Sequence, residues 1–551
     1  MCIDEKKDDN TELKFTIENN VLKGRIMSSD NGYTSVGKLI FDTFKSKPNF
    51  VWQVDAISGI EDNFSDICDR TIKCGLWMQK HGVRKGDIVA ICTHNHRDCI
   101  IPFLATLYLG AIVNPWDHLM NIDMARHFIT LSQPKIIFVN EGSAEIAMEA
   151  AKIELHDTKL VCFGYYPDTT SFTETLKYHD KSAVANFQCT DIDDPSHTGL
   201  IMFSSGTTGM PKGVKLSHKS ILNIMEIREG FPYNIQTQLW FTPLYWISGS
   251  FLNLKSIYFH IKKISAPEFN EKIACEIIEK YKIDWIMLST SMANRFVRYD
   301  CLHDYDISNL KFAIIGGSAL NRETQDIIKK YLPNTMIMQA YGMTELGGII
   351  TIQSSSATSS GSCGIVISNC QIKIIDTETG KTLGPNQTGE LCAKTWTMMT
   401  GYHKNLEATK DIFDKNGWLH SGDLAYYNEN GEVFIVDRLK EIIKYKGYQI
   451  SPNKIETLLQ SHPAVLEVGV VGIPHPIYDE LPVAFISKIP NKEVSEEELS
   501  KMVANNMMDI YKLRGGIKFL SSLPHTPSGK ISRKKLRAMA KELTINYESI
   551  N

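Results

Sequence analysis

The sequence predicts an α/β fold: a large N-terminal domain of layered α/β sheets with a β-rich subdomain, followed by a small α+β C-terminal domain. Three observations predict it. Strand-like apolar runs alternate with helical patterns between residues 87 and 338, which is typical of a largely parallel sheet. From Ile365 the pattern changes to short strands between Gly and Asn turns, as in an antiparallel subdomain. About a hundred residues remain after Asp437, enough for a separate domain.

The first alternating unit combines buried strands with apolar helices. Its predicted strands are 87–92, 135–139 and 160–163, and its predicted helices are 67–82, 99–113 and 144–153. A polar connection, 166–198, leads to the strand 199–203. Parallel sheets of this kind bind ligands at the loops beyond the ends of their strands.

The rest of the chain is predicted to contain a second alternating unit, the antiparallel subdomain and the tail. The predicted elements are helix 218–229, the apolar stretch 239–249, helix 273–281, strand 285–288, a strand from 312 that ends in the Gly316-Gly317 turn, and the segment 336–338. The subdomain has predicted strands 371–376, 389–394 and 432–437, and the tail has helix 451–462, strands 467–473 and 482–487, helix 495–506 and a Lys/Arg-rich last helix.

Composition excludes several classes of protein. The chain has 551 residues, 43% hydrophobic and 22% charged, with a net charge of −4, so we expect a soluble globular protein without nucleic-acid or anionic-membrane partners. The run 99–113 is too short to span a bilayer. Twelve cysteines without a Cys-x-x-Cys pair indicate reduced thiols and argue against a zinc site or a disulfide framework. The charged N-terminus and the Ser549-Ile550-Asn551 end, which is not the Ser-Lys-Leu peroxisomal address, favour the cytosol.

The stretch 204–213, SSGTTGMPKG, follows the strand 199–203 directly. Glycines let a backbone approach an anion closely, and Ser/Thr hydroxyls and amides donate to phosphate oxygens. Lys212 adds a positive charge that suits a polyphosphate. No Gly-Lys-Ser/Thr closes the stretch, so it is not a Walker A loop. It is predicted to be a phosphate cradle, although such composition also occurs in solvated loops.

Five motifs stand in the order and spacing of one superfamily. They are SSGTTGMPKG (204–213), QAYGMTE (339–345), GWLHSGD (417–423), VDRLKEIIKYKGYQI (436–450) and TPSGK (526–530). In these motifs the chain resembles the adenylate-forming, AMP-binding superfamily, which includes acyl-CoA synthetases, 4-coumarate–CoA ligases and beetle luciferases. The resemblance runs from the strand near residue 87 to the last helix.

The resemblance implies ATP, Mg²⁺ and coenzyme A as cofactors and a small carboxylic acid as substrate. Glu345 would bind Mg²⁺, Thr344 would contact the α-phosphate, and Lys530 would bridge the carboxylate and the α-phosphate. Asp423 would accept from the ribose with help from Arg438. The remaining nucleotide-binding candidates are Ser204, Ser205, Gly206, Thr207, Thr208 and Lys212 at the phosphates, and Gly317, Ser318, Ala319, Gln339 and Tyr341 around the adenine.

A second set of lysines is implied to serve thioester formation. The resemblance divides the chain into an AMP-binding domain (1–437), a hinge (438–441) and a mobile C-terminal domain (442–551). Rotation about Lys440 would replace Lys530 by Lys444 at the active site, while Lys446 and Gly447 would line the pantetheine channel. Without the motif, all three lysines would be read as an exposed charged face.

The favoured function is an ATP-dependent ligase that joins a hydrophobic acid, such as a medium- or long-chain fatty acid, to coenzyme A. The acid pocket is assigned to Trp246, Ile247 and Gly316. The alternatives are an aryl-CoA ligase of the 4-coumarate type and a luciferase that oxidises its adenylate with O₂. Trp246 argues against the luciferase, because the luciferases carry a histidine at this position. An inactive paralogue and a peptide-synthetase module fit the motifs and the length less well.

Overall fold

The computed structural model confirms the α/β class with a large N-terminal and a small C-terminal domain. It describes residues 15–28, 31–177, 180–204, 210–299, 302–318, 320, 322–353, 359–446, 448–526 and 530–542.

The strands of the first half of the chain are β1 (Phe15–Glu18), β2 (Val21–Gly24), β3 (Val51–Asp55), β4 (Glu61–Asn63), β5 (Ile88–Cys92), β6 (Ile112–Trp116), β7 (Ile136–Val139), β8 (Lys159–Cys162), β9 (Thr170–Ser171), β10 (Thr198–Ser204), β11 (Lys212–Ser217), β12 (Thr237–Trp240) and β13 (Lys262–Ser265). The later strands are β14 (Trp285–Ser289), β15 (Phe312–Gly316), β16 (Met336–Met343), β17 (Gly348–Ile352), β18 (Ile365–Val366), β19 (Cys370–Ile375), β20 (Gly389–Thr395), β21 (Gly401–Tyr402), β22 (Leu419–Tyr427), β23 (Val433–Arg438), β24 (Ile443–Tyr445), β25 (Tyr448–Ile450), β26 (Val465–His475), β27 (Asp479–Lys488) and β28 (Ile517–Leu520).

The α-helices are α1 (Val36–Ser46), α2 (Phe64–Lys80), α3 (Ile100–Tyr108), α4 (Ile122–Ser132), α5 (Glu141–Ile153), α6 (Phe172–Thr175), α7 (Lys181–Ala185), α8 (His218–Glu226), α9 (Ile247–Tyr258), α10 (Glu271–Tyr281), α11 (Thr290–Val297), α12 (Arg322–Tyr331), α13 (Leu406–Ile412), α14 (Pro452–Gln460), α15 (Glu496–Asn506) and α16 (Arg533–Lys541). Short 3₁₀ helices span Leu302–Asp304, Thr344–Leu346 and Asp509–Tyr511.

Two large sheets form the layers of the N-terminal domain. One has the order β21-β11-β10-β6-β5-β7-β8-β9, and the other β18-β17-β16-β15-β14-β12-β13-β3-β4. Their central strands are parallel, and antiparallel strands flank them. The largest apolar cluster contains residues of both sheets and of α1, α2, α3, α8 and α9, so these helices and sheets share one core.

The predicted helix over 99–113 is wrong at its end. Helix α3 stops at Tyr108, and Ile112 already begins strand β6. Gly110 has a φ of +63°, a left-handed conformation that glycine adopts without a steric cost. The apolar composition on both sides of this glycine hid the turn, because buried helices and buried strands look alike over short runs.

A third sheet, with the order β1-β2-β19-β20-β22-β23, is the predicted β-rich subdomain, and all its described pairings are antiparallel. The C-terminal domain has its own sheet, β25-β24-β27-β26 with β28 beside β27, and its own apolar cluster around Ile455, Val470 and Ile486. Within the described ranges, no helix combines the length and apolarity needed to cross a membrane.

Candidate active site

A cleft of about 460 Å³ lies where the two domains meet. One wall comes from the carboxyl ends of parallel strands: Gly317 follows β15, and Tyr341 lies in β16 beyond the part that pairs with β15. The opposite wall comes from the C-terminal domain and includes Lys530 and Arg533. The cleft therefore lies at the carboxyl ends of parallel strands, where open α/β sheets bind their ligands.

Asp423, Arg438 and Tyr341 form a charged cluster on one side of the cleft. Asp423 on β22 lies directly opposite Arg438 on β23, and Arg438 Nε lies 3.0 Å from Asp423 Oδ1. The Tyr341 hydroxyl donates to Asp423 Oδ2 at 2.6 Å. Burial lowers the pKa of Arg438, but attraction to Asp423, Tyr341 and Glu345 outweighs it and raises the pKa overall. The carboxylate is thus fixed in position.

A bulge in β22 presents Asp423. Between the pairs Cys392–His420 and Glu390–Leu424, β22 uses more residues than β20, and the surplus bends the strand toward the cleft. Gly422 at its centre has a φ of +69°. Glu390 Oε1 accepts from the Gly422 N–H at 3.1 Å, and Ser421 Oγ accepts from the Asp423 N–H at 3.0 Å. The bulge therefore has hydrogen-bond partners for its N–H groups.

Glu345 lies in the 3₁₀ turn just after β16, beside Thr344. It is 7% exposed, and its Oε1 accepts from the Tyr402 hydroxyl at 3.0 Å. The Lys212 ammonium lies 4.8 Å from the centre of the Tyr402 ring. Burial, reinforced by Glu345, raises the pKa of Tyr402, which stays a neutral donor. Tyr402 thus connects the predicted metal ligand to the lysine of the phosphate loop.

Lys530 enters the cleft from the C-terminal domain. Its Cε lies within 3.8 Å of where a Cβ on Gly317 would be. Burial, together with repulsion from Arg438, lowers the pKa of Lys530 to about 8, although Asp423 and Glu345 oppose this shift. The Thr526 N–H donates to the Lys530 carbonyl at 2.7 Å. The structure therefore brings Lys530 together with Asp423, Arg438 and Glu345.

The predicted adenine-binding residues and the neighbouring acid-pocket residue Gly316 divide into exposed and buried positions. Gly317 and Ser318 are exposed and line the cleft. Gly316 is buried, and a Cβ there would lie 3.3 Å from the Ala340 carbonyl, so a larger residue would press on the neighbouring strand. Gln339 is 2% exposed. With its amide oriented to suit its neighbours, it donates to Ser362 O at 2.9 Å and accepts from Leu320 N–H at 3.1 Å, so it mainly organises the loop after β15.

The second set of lysines, in the predicted hinge and the C-terminal domain, has exposed side chains. Lys440 follows β23, Lys444 lies on β24, and Lys446 follows that strand with a φ of +50°. The Lys446 ammonium packs over the ring of Tyr478 at 4.3 Å. The lining of the cleft contains none of these three residues, so this structure places Lys530, and not Lys444, at the site.

The other two predicted acid-pocket residues, Trp246 and Ile247, lie at the start of α9. Trp246 is the N-cap of that helix and packs edge-on against Tyr245 at 4.9 Å. Ile247 is half-buried against the main core. Neither residue lines the cleft described above. Ser204 ends β10 and Lys212 begins β11, whereas Ser205, Gly206, Thr207, Thr208, Ala319 and Gly447 lie outside the described residues.

Sequence reasoning missed the contacts that hold the C-terminal domain in this position. Arg298 Nη1 donates to the Val465 carbonyl at 2.7 Å, and Ser291 Oγ donates to Glu467 at 3.3 Å. Arg533 lies 3.7 Å from Asp437 of β23, and Glu456 of its own domain, 2.6 Å away, holds its side chain in place. Apart from Asp437, these residues belong to none of the five motifs. Their side chains meet only because of the tertiary fold, so spacing along the chain gave no signal.

Comparison with known proteins identifies the class. The family model described as "AMP-binding enzyme" matches residues 43–403, and the model described as "AMP-binding enzyme C-terminal domain" matches residues 454–530. The chain belongs to the AMP-binding enzyme family. The predicted class of adenylate-forming enzyme is therefore confirmed.

Individual relatives fall into two groups. The chain is 30% identical over 501 residues to luciferin 4-monooxygenase of Nipponoluciola cruciata, covering 89% of this chain and 91% of that protein. It is 31% identical over 516 residues to 4-coumarate–CoA ligase 4 of Arabidopsis thaliana, covering 88% and 87%. The solved luciferase-like enzyme of the nonluminescent mealworm Zophobas morio is 28% identical, with a TM-score of 0.72, covering 77% of this chain and 99% of that one.

Proposed function

We propose that this protein is an ATP-dependent acid–CoA ligase that acts on a hydrophobic carboxylic acid. The observation that carries the proposal is the position of Lys530 in the cleft between the domains, beside the Asp423–Arg438 pair and near Glu345. A site that combines the Lys530 ammonium with a fixed carboxylate suits a reaction in which a carboxylate attacks a phosphate. Positioning and charge neutralisation provide most of the catalysis in such reactions.

In the first half-reaction a carboxylate oxygen of the acid bonds to the α-phosphorus of ATP, and the bond to pyrophosphate breaks. Asp423 would accept from the ribose hydroxyls, while Gly317, Ser318 and Tyr341 would border the adenine. Thr344 would contact the α-phosphate, and Lys530 would neutralise charge between the carboxylate and the α-phosphate. The segment 204–212, including Lys212, would hold the other phosphates.

Glu345 fits the role of a magnesium ligand. Its carboxylate offers the hard oxygen that Mg²⁺ prefers, and the Tyr402 hydroxyl holds only its Oε1. Among the described residues, none donates a hydrogen bond to Oε2, which leaves this oxygen for the ion. The ion would supply neutralisation of phosphate charge.

In the second half-reaction the thiol sulfur of coenzyme A bonds to the acyl carbonyl carbon, and AMP leaves. The described position of the C-terminal domain is the one suited to adenylation. Rotation of residues 442–551 about the hinge 438–441 would withdraw Lys530 and bring Lys444 to the cleft, which is a hinge motion of a familiar kind. Lys446 and Gly447 would then line the channel for the pantetheine arm.

The acid is proposed to be apolar, with a medium- or long-chain fatty acid preferred and an aryl acid as the alternative. The support is the largely apolar and aromatic stretch before α9. Trp240, Phe241, Leu244 and Tyr245 are at most 3% exposed, and Trp246 and Ile247 are less buried than these four. These two side chains would contact the acyl or aryl part of the acid, beside Gly316.

A panel of acids tests the proposal. Purified protein would be incubated with ATP, Mg²⁺ and coenzyme A and with fatty acids of graded length, 4-coumarate or benzoate, and the release of pyrophosphate and AMP would be measured. We expect an acid-dependent release and a matching thioester. Release with aryl acids alone would replace the fatty acid by an aryl substrate, and no release with any acid would refute the ligase.

A luciferase-type monooxygenase is the second candidate, supported by the 30% identity to luciferin 4-monooxygenase. It would share the first half-reaction and then oxidise the adenylate with O₂. Light emission with ATP and beetle luciferin in the absence of coenzyme A would establish it. Trp246→His is the matched variant: if Trp246 is what excludes luciferin, this variant should gain emission over the parent chain.

A further inference from the structure

Three side chains with metal-binding chemistry converge on one face of the six-stranded sheet. Glu390 and Cys392 are two residues apart on β20, and His420 lies opposite Cys392 on β22. His420 Nδ1 lies 2.9 Å from Glu390 Oε2 and 3.7 Å from Cys392 Sγ. The three ligand atoms all lie within 4.8 Å of one another. A strand presents residues i and i+2 on the same face, which explains this meeting.

The separation of the sulfur and nitrogen atoms matches one edge of a tetrahedral zinc site, whereas the 2.9 Å between His420 Nδ1 and Glu390 Oε2 would have to widen by a few tenths of an ångström when the ion binds. With Zn–S near 2.3 Å and Zn–N near 2.0 Å, a tetrahedral angle separates the sulfur and nitrogen ligands by about 3.5 Å. The observed separation of 3.7 Å between Cys392 Sγ and His420 Nδ1 needs almost no adjustment. We propose that Glu390, Cys392 and His420 form a three-residue site for one Zn²⁺ ion. The cysteine spacing argued against a zinc site, but it could not reveal this one, because its ligands come from two paired strands and include a single cysteine.

The charges around the three residues are compatible with a divalent cation. A Glu carboxylate and a Cys thiolate would together balance the two positive charges of the ion, and His420 would bind as a neutral imidazole. Lys373 of β19 lies opposite Cys392 and would repel the cation. The Asp414 carboxylate, 3.6 Å from the Lys373 ammonium, offsets this repulsion. A thiolate, an imidazole and a carboxylate favour zinc over the hard ion Mg²⁺.

The site is open on one side. Cys392 is fully buried, whereas the His420 and Glu390 side chains are 30% and 15% exposed. An ion held by three protein ligands with a solvent-facing fourth position would take water there. Glu390 also accepts from the Gly422 N–H with its other oxygen, Oε1, and so remains able to hold the bulge that presents Asp423 while Oε2 binds the ion.

Cobalt provides a direct test, because Co²⁺ replaces Zn²⁺ in tetrahedral sites and a thiolate ligand gives a ligand-to-metal charge-transfer band. The full-length protein would be titrated with Co²⁺ without nucleotide, and Zn²⁺ affinity would be measured by competition with a chelator. We expect one equivalent of Co²⁺ to give the band and stoichiometric Zn²⁺ to abolish it. Absence of any Zn²⁺-displaceable thiolate band would overturn the proposal.

Variants separate this site from other places that bind zinc. Cys392→Ser and His420→Gln should each abolish the band and weaken Zn²⁺ binding by more than about 100-fold. Loss of a residue that only supports a metal ligand already costs up to about 100-fold in affinity, and loss of a ligand should cost more. Cys189→Ser, which changes a partly buried cysteine outside the cluster, should retain both. Circular dichroism without metal checks that each variant folds. A folded His420→Gln variant that binds Zn²⁺ as tightly as the wild type would overturn the proposal. Loss of the band in Cys189→Ser would also overturn it.

Discussion

Lys530 is the residue on which the proposed chemistry depends most. It is a lysine on a loop, which ordinarily remains solvated, yet it lies beside Gly317 and near Arg438, Asp423 and Glu345. The motif 526–530 allowed its position to be predicted. The sequence could not show that Asp423 and Glu345 raise the pKa of Lys530 and so partly offset the effect of burial. That effect depends on distances across two domains.

Replacing Lys530 by alanine should slow adenylate formation by about 100- to 1,000-fold, the range for losing one positioned electrostatic contact (~2.7–4 kcal/mol). Thioester formation from supplied acyl adenylate should keep its rate, because Lys530 acts only in the first half-reaction. Acid-dependent pyrophosphate release and single-turnover thioester formation measure the two steps. Lys535→Ala removes an exposed lysine of α16 and should leave both steps unchanged.

The pH dependence of adenylation should report Lys530. Its pKa of about 8 lies below that of a free lysine, so the ammonium is present below this pH and is lost as the pH rises through it. The kcat/KM for the acid reports groups of the free enzyme and should therefore fall above about pH 8. The residual activity of Lys530→Ala should lack this fall, and an identical alkaline limb in that variant would assign the titration to another group.

The bulge of β22 shows how an element positions the site. Asp423 lies on β22, and the pairing of β22 with β20 shifts register between Glu390 and Cys392 of β20. The backbone of β22 passes through the left-handed region at Gly422. The motif GWLHSGD indicated that Asp423 matters. It did not indicate that Glu390, more than thirty residues earlier, would hold the turn, since cross-strand pairing is not visible in local sequence.

Gly422→Ala should reduce the affinity for ATP. A Cβ at Gly422 would meet nothing within 4 Å, so the change acts only through backbone strain at a φ of +69°, about 1–2 kcal/mol. The variant should relax by moving Asp423 and thereby raise the KM for ATP. Gly417→Ala, with a φ of +76° in the turn before β22, imposes similar strain away from Asp423. Both glycine variants should lose similar thermal stability. If the KM of Gly422→Ala for ATP were nevertheless unchanged, Gly422 would have no role in positioning Asp423.

At the scale of the elements, the sequence predicted most strands and the order of the domains. It failed where local pattern is ambiguous. The helix expected over 99–113 runs into β6, because Ile112 and Val113 are as apolar as the helix before them. Likewise, Tyr402 on β21 was not found, because it contacts Glu345 across the fold and belongs to none of the five motifs.

On the scale of the whole molecule, the cleft exists only while the C-terminal domain sits in its described position. Arg298 Nη1 donates to the Val465 carbonyl across this junction. Arg298→Ala should weaken the adenylation orientation by about 1.5–3 kcal/mol, the range for a hydrogen bond to a charged group. Adenylation should slow, while the thioester step should not.

A surface variant provides the comparison. Arg126→Ala removes an ion pair of 2.6 Å with Glu154, far from the junction in the chain, and should alter neither step. Equal slowing of both steps by Arg298→Ala, with Arg126→Ala unaffected, would show that the contact supports the site in general and does not select one orientation.

The central claim is that one cleft carries out two half-reactions by exchanging Lys530 for Lys444. The most direct measurement is a pair of single-turnover experiments on Lys444→Ala and Lys530→Ala, one following adenylate formation and the other following thioester formation from supplied adenylate. The account predicts that Lys444→Ala retains the first and loses the second, and that Lys530→Ala does the reverse. Loss of the same half-reaction in both variants would contradict it.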